Sequence, residues 1–148
     1  MATVFDVAKY ILDRYGAMSA MKLQKLIFYC QAMSLVWDDV PLFESEFQAW
    51  VKGPVCRDLY NAHKGKFMLN DSRFLESYGA DVSRLSSENI ETINAVVDSL
   101  IDLTPYQLSR MTHEEEPWKN AREGLKNTAY SDVVIPKSDM EEYYSVHW

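Results

Sequence analysis

The sequence predicts a mainly α protein, a compact single-domain helical fold with a small β element between the second and third helices. Three observations predict it. Apolar residues recur three and four apart in several separate segments, the period of a helical face turned to a core. Helix-start signals stand just ahead of those segments, at Thr3, Ser19 and Thr104-Pro105. Only one stretch, 43–51, shows a residue alternation that suits a strand.

Thr3 and Asp6 have capping-box spacing, with Asp in place of the usual Glu or Gln. Val4, Val7, Ala8, Ile11, Leu12 and Tyr15 then share one helical face, and Gly16 closes the helix. Ser19 caps a second helix, whose stripe is Leu23, Leu26, Ile27, Cys30, Met33 and Trp37. Lys22 and Lys25 read as its solvated face, and Asp38-Asp39 with Pro41 end it. In the strand at 43–51, Phe47, Ala49 and Val51 face one way and Gln48 and Trp50 the other. Gly53-Pro54 is expected to turn the chain into a third helix, with Pro54 in its first turn, where a missing N–H is harmless. That helix buries Val55, Leu59 and Ala62 and ends near Gly65.

Residues 66–86 show no sustained period and read as a long surface loop, with Phe67-Met68-Leu69 and Phe74-Leu75 either packed down or turned to a partner. From Ser87, the stripe of Ile90, Ile93, Val97, Leu100 and Ile101 marks a helix. Thr104-Pro105-Tyr106-Gln107 is a capping box with proline in first place and opens a short helix through Met111. Pro117 opens another that ends at Gly124. Ser138 to Glu141 reads as a further capping box, starting a last helix with Met140, Tyr143 and Tyr144.

The chain has 148 residues, enough for one domain, 1–148, with a substantial core. No apolar run reaches the roughly 20 residues needed to span a bilayer. Asp6 and Asp13 interrupt the N-terminal apolar residues, so no signal peptide is expected and the cytoplasm is the default location. Two cysteines, Cys30 and Cys56, read as buried reduced thiols in helices. The formal net charge is −7; residues 1–67 hold 8 Lys/Arg against 7 Asp/Glu, and residues 68–148 hold 7 against 15. Such a balance opposes binding to a phosphate backbone and suits a basic protein partner, so no nucleic-acid or membrane partner is expected.

His113-Glu114-Glu115-Glu116 is the best place for metal or proton chemistry. Its spacing is wrong for the helical HExxH zinc motif, because Glu116 stands where the second histidine belongs. Its other reading is helix-end chemistry, with Glu115 and Glu116 ahead of the helix opening at Pro117. His63 and His147 are tied to it by no motif. Cys30 with His63 or His113 is a weak nucleophile pair, because an apolar helix face raises a thiol pKa and closes access. Trp118 and Arg122 lie four apart on one helix face. With Trp50, they suit either the core or an interface, where Trp and Arg are favoured hot-spot residues.

Four pieces of the sequence, KLQKLIFYCQAMSL (22–35), PLFESEFQAWVKGPVCRDLY (41–60), LSRMTHEEEPWKNAR (108–122) and IPKSDMEEYY (135–144), resemble the Panacea-domain family in the family's order. These are the SocA-like antitoxins, which include GepA-type phage-associated proteins. The resemblance implies an antitoxin of a bacterial or prophage toxin–antitoxin system. Its partner would be a cognate protein toxin, encoded by the adjacent gene and neutralised by direct binding. At least one family type instead hands its toxin to an ATP-dependent protease, so a protease adaptor is the alternative. Family toxins include nucleotide-pyrophosphate synthetases, adenylyl-transferring enzymes, ribonucleases and membrane-disrupting peptides.

The resemblance implies neither catalysis nor a cofactor. The chain has no room for an appended DNA-binding domain, so autoregulation by operator binding is not expected. Trp50, Lys52, Tyr60, Trp118 and Arg122 are the expected partner contacts, because they combine family motifs with interface chemistry; Tyr144 and Trp148 are possible additions. The competing reading is a small metal-dependent or acid–base enzyme using His113, Glu115 and His63.

Overall fold

The computed structural model describes residues 1–148. Its seven α-helices are α1 (Val4–Tyr15), α2 (Ala20–Met33), α3 (Arg57–His63), α4 (Ser87–Leu100), α5 (Pro105–Glu114), α6 (Glu116–Ala121) and α7 (Lys137–His147). Five short strands join them: β1 (Met18–Ser19), β2 (Phe47–Trp50), β3 (Gly53–Cys56), β4 (Met68–Leu69) and β5 (Val134–Ile135). The mainly α expectation holds. The β element between α2 and α3 is an antiparallel hairpin, β2–β3, extended by β5 in the order β3-β2-β5. A separate two-stranded ladder pairs β1 with β4.

α2 is the axis of the molecule. It packs against α1, α4, α5, α7 and β3. It is buried all round rather than along one stripe, because Gln24, Lys25 and Gln31 are as fully buried as Leu23, Leu26 and Ile27. A buried polar side chain must find a partner, and these three find backbone. Gln31 uses both ends of its amide, accepting from Leu42 N–H (2.7 Å) and donating to Phe43 C=O (2.8 Å). Gln24 does the same with Cys56, accepting from its N–H (2.9 Å) and donating to its C=O (3.2 Å). Both amides act as short stretches of neighbouring strand and tie residues 42–56 to the central helix.

Several expected boundaries move. α2 does not carry its stripe to Trp37: a π-helical turn, Ser34–Asp38, follows it, and Trp37 is left 46% exposed. Pro54 does not open α3. It lies in β3 opposite Ala49, on an outer strand of the sheet where a missing donor is tolerated, and α3 begins at Arg57. Cys56 is therefore in a strand, not a helix. α5 runs on to Glu114, bringing His113 into the helix. α7 starts at Lys137 with Pro136 ahead of it, so Ser138 is not its cap.

The capping boxes at Thr3, Ser86 and Thr104 form. Asp6 does more than cap: its buried carboxylate also accepts from Asp81 N–H (2.7 Å) and Arg84 Nη1 (2.9 Å), pinning the long 66–86 segment onto α1. In that segment Leu69 and Leu75 pack down, while Phe67 stays 77% exposed.

Candidate partner-binding site

Trp50 and Lys52 sit at the end of the β2–β3 hairpin, which turns through Val51 and Lys52. A turn of this kind is normally mobile. Here its carbonyls are held from within. Trp118 Nε1 donates to Trp50 C=O (2.8 Å), Arg122 Nη1 to Ala49 C=O (2.8 Å), Ser109 Oγ to Lys52 C=O (2.5 Å) and Lys25 Nζ to Pro54 C=O (3.0 Å). With Gln24 on Cys56, side chains of α2, α5 and α6 and the cap residue after α6 grip the hairpin. Gly53 lets them approach. Its φ of +121° suits glycine, and a Cβ there would stand 2.6 Å from Lys25 Cε and 2.8 Å from Thr112 Oγ1.

Lys25 is the least expected of these residues. Its side chain has 0% exposure, and Pro54 C=O is its hydrogen-bond acceptor, with no ion pair. Desolvation pushes its pKa down from 10.5 to about 7. The expected solvated lysine face of α2 is therefore not there. Lys22 is half-buried and donates to Ile101 C=O.

Trp118 and Arg122 form the layer beneath the hairpin. They are 2% and 4% exposed, with the guanidinium carbon 4.9 Å from the indole centroid. Arg122 also donates to Lys126 C=O (3.1 Å) and to Ala129 C=O, which folds the chain after α6 back against the sheet. His113 stacks on the indole, with centroids 4.0 Å apart and planes at 17°. Burial lowers the His113 pKa, and the charge of Lys25 lowers it further.

Outside that layer, the side chains of Trp50, Lys52 and Tyr60 line one groove of about 350 Å³. Trp50 meets Tyr60 edge to face, with centroids 4.9 Å apart, and Arg57 lies over the indole at 5.7 Å. Three of the five expected contact residues thus gather on one face, and the other two support it from below. Arg57, Lys64 and Tyr130 complete the groove and were not singled out in the sequence. Arg57, Tyr60 and Lys64 did carry a signal there, since spacings of three and four put them on one helical face. Tyr130 carried none, because long-range contacts bring its segment back: the Arg122 hydrogen bonds and the pairing of residues 133–135 with β2.

The His113–Glu116 segment is not drawn together as a metal or acid–base centre. No group of three or more His, Cys, Asp or Glu is placed to hold an ion. Glu115 holds the N-cap position of α6, but its side chain makes no capping hydrogen bond. It points to the other side, where Oε1 accepts from Tyr29 (2.6 Å) and Tyr144 (2.7 Å). Burial raises its pKa, opposed by those two hydrogen bonds. Tyr144 is thereby core, and Trp148 packs at the same end, 6.0 Å from Trp37. His63 is buried and hydrogen-bonds Gln24 (3.0 Å). Cys30 is fully buried with its pKa raised by desolvation, and burial lifts the Cys56 thiol to about 11.

The family description that matches this chain is the antitoxin SocA-like Panacea domain, over residues 23–119. The chain belongs to that family. The Panacea match takes in α2 from Leu23 onward, the gripped hairpin, α3 and the chain through Lys119. Arg122, Tyr130 and α7 lie beyond it. No curated protein and no solved structure matches the chain.

Proposed function

We propose that this protein is an antitoxin that acts in the cytoplasm by binding a cognate protein toxin directly, with the hairpin groove as the contact face. Membership in the SocA-like Panacea family carries the reading. The groove supports it: Trp50, on a hairpin fixed from inside, and Tyr60, on α3, offer aromatic area with few rotatable bonds. Trp50, Lys52 and Tyr60 make the contacts, while Trp118 and Arg122 hold the backbone of the strand that carries Trp50. Neutralisation on this reading is occupancy: the toxin stays intact, silenced as long as the complex lasts.

The test is growth. The open reading frame beside this gene is placed under an inducible promoter and expressed with and without the protein. A neighbour that stops growth alone, and is cured by co-expression while its own level holds steady, is the expected result. A toxic neighbour that still kills despite soluble, folded protein would sink the reading. Disappearance of the toxin on co-expression would replace sequestration with delivery to a protease.

A further inference from the structure

The hairpin groove differs in charge from the molecule around it. The chain carries a formal net charge of −7, yet no carboxylate lines the groove. Its charged lining residues are Lys52, Arg57 and Lys64, all exposed, and none makes an ion pair. Arg57 stands at the boundary with a shallow depression lined by Glu44, Glu46 and Asp58, but no carboxylate there approaches within ion-pair distance. Between the cations the surface is apolar and aromatic: Trp50, Tyr60 and Tyr130, with Val55 behind them. Tyr130 is 75% exposed.

We infer that the groove receives an acidic segment of a partner protein, with one aromatic or aliphatic side chain seated between Trp50 and Tyr130 and flanking carboxylates meeting Lys52, Arg57 and Lys64. The inference deepens the direct-binding reading and rests on it for the partner's biological role, though not for the binding itself. Three unpaired cations around an apolar floor attract a short run of negative charge, and the aromatic rings remove an apolar side chain from water. A nucleic acid strand would also stack on these rings. It would run past the three cations over a chain of net charge −7, which repels further phosphates. The segment that fits is therefore short and acidic, against the basic partner suggested by net charge alone.

The test uses the full chain and an array of synthetic peptides. A central Phe, Leu or Ser is flanked by Asp and Glu, by Ser and Asn, or by Lys and Arg, and binding is read by fluorescence anisotropy. The acidic Phe and Leu peptides should bind most tightly and weaken as salt is raised. The triple variant K52E/R57E/K64E should lose about tenfold or more of that affinity, and K52Q/R57Q/K64Q an intermediate amount. All three positions are exposed, so circular dichroism and Tm should stay at wild-type values. Equal binding of neutral or basic peptides, or acidic binding that survives charge reversal, overturns the inference. Tighter binding of a short single-stranded RNA than of any peptide, lost in K52E/R57E/K64E, overturns it in favour of nucleic acid. The growth assay separates the two readings. Rescue retained by K52E/R57E/K64E places the toxin elsewhere and removes the groove; acidic-peptide binding without rescue removes the antitoxin and leaves the groove.

Discussion

Replacing Lys25 with methionine should stabilise the protein at mildly acidic pH. The ammonium is fully buried, and its one hydrogen bond, 3.0 Å to Pro54 C=O, does not replace its hydration. Burial lowers its pKa from 10.5 to about 7, a difference of about 3.5 units, and at about 1.4 kcal/mol per unit the folded state bears a penalty of ~5 kcal/mol. The sign follows from proton counting. Between about pH 7 and 10.5 the unfolded lysine is protonated and the folded one is not, so stability rises with pH across that window. Below the folded pKa both states are protonated and the penalty is fully present.

Methionine keeps most of the volume and carries no charge. It leaves Pro54 C=O without its donor, which costs about 1–3 kcal/mol. The net at about pH 6 is a gain of ~2–4 kcal/mol, or roughly 4–16 °C in Tm. The gain should shrink by about 1.4 kcal/mol per pH unit above pH 7 and change sign between about pH 8.5 and 10. Urea unfolding followed by tryptophan fluorescence across this range, on wild type and variant together, cancels the titrating groups that the Lys25 charge does not reach; His63 and His113, which it does reach, titrate in the lower part of the range. A variant less stable at about pH 6, or a difference that does not move with pH, would refute the reasoning: the Lys25–Pro54 hydrogen bond would then outweigh the desolvation of the charge.

Gly53→Ala should destabilise by about 3 kcal/mol, since it adds strain at a positive φ to a clash with Lys25 and Thr112; thermal unfolding checks this, and an unchanged Tm would mean the hairpin shifts freely. Gln31→Ala strips partners from Leu42 N–H and Phe43 C=O together and should cost about 2–4 kcal/mol in a urea titration. Glu115→Gln retains an acceptor for Tyr29 and Tyr144 and should change stability by less than about 1 kcal/mol, whereas Glu115→Ala orphans both hydroxyls and should cost about 2–3 kcal/mol. Burial raises the Glu115 pKa, so wild-type stability attributable to it falls as pH rises from its unfolded pKa through its folded one, and the Gln variant should lack that slope.

The helices were legible in the sequence wherever a local rule governs them. The Thr3 and Thr104 capping boxes, the closure at Gly16 and the face of Ile93, Val97 and Leu100 depend on neighbours three or four residues away. The small β element was legible too, because Phe47 and Ala49 alternate with Gln48 and Trp50. Of the candidate site, Trp50, Lys52 and Tyr60 were singled out by residue type and motif, and they fall in one groove.

Tertiary structure alone decided the sides of the polar residues. Gln24, Lys25 and Gln31 look like the wet face of an amphipathic helix, and nothing within one turn says otherwise. They are buried because a strand and a loop come over them with unpaired N–H and C=O groups, and an amide or an ammonium can answer those from 11 to 32 residues away along the chain. The same holds for Trp118 and Arg122, whose partners are the carbonyls of β2. Local spacing determines which residues share a face; the unsatisfied backbone of a distant segment determines whether that face meets water or protein.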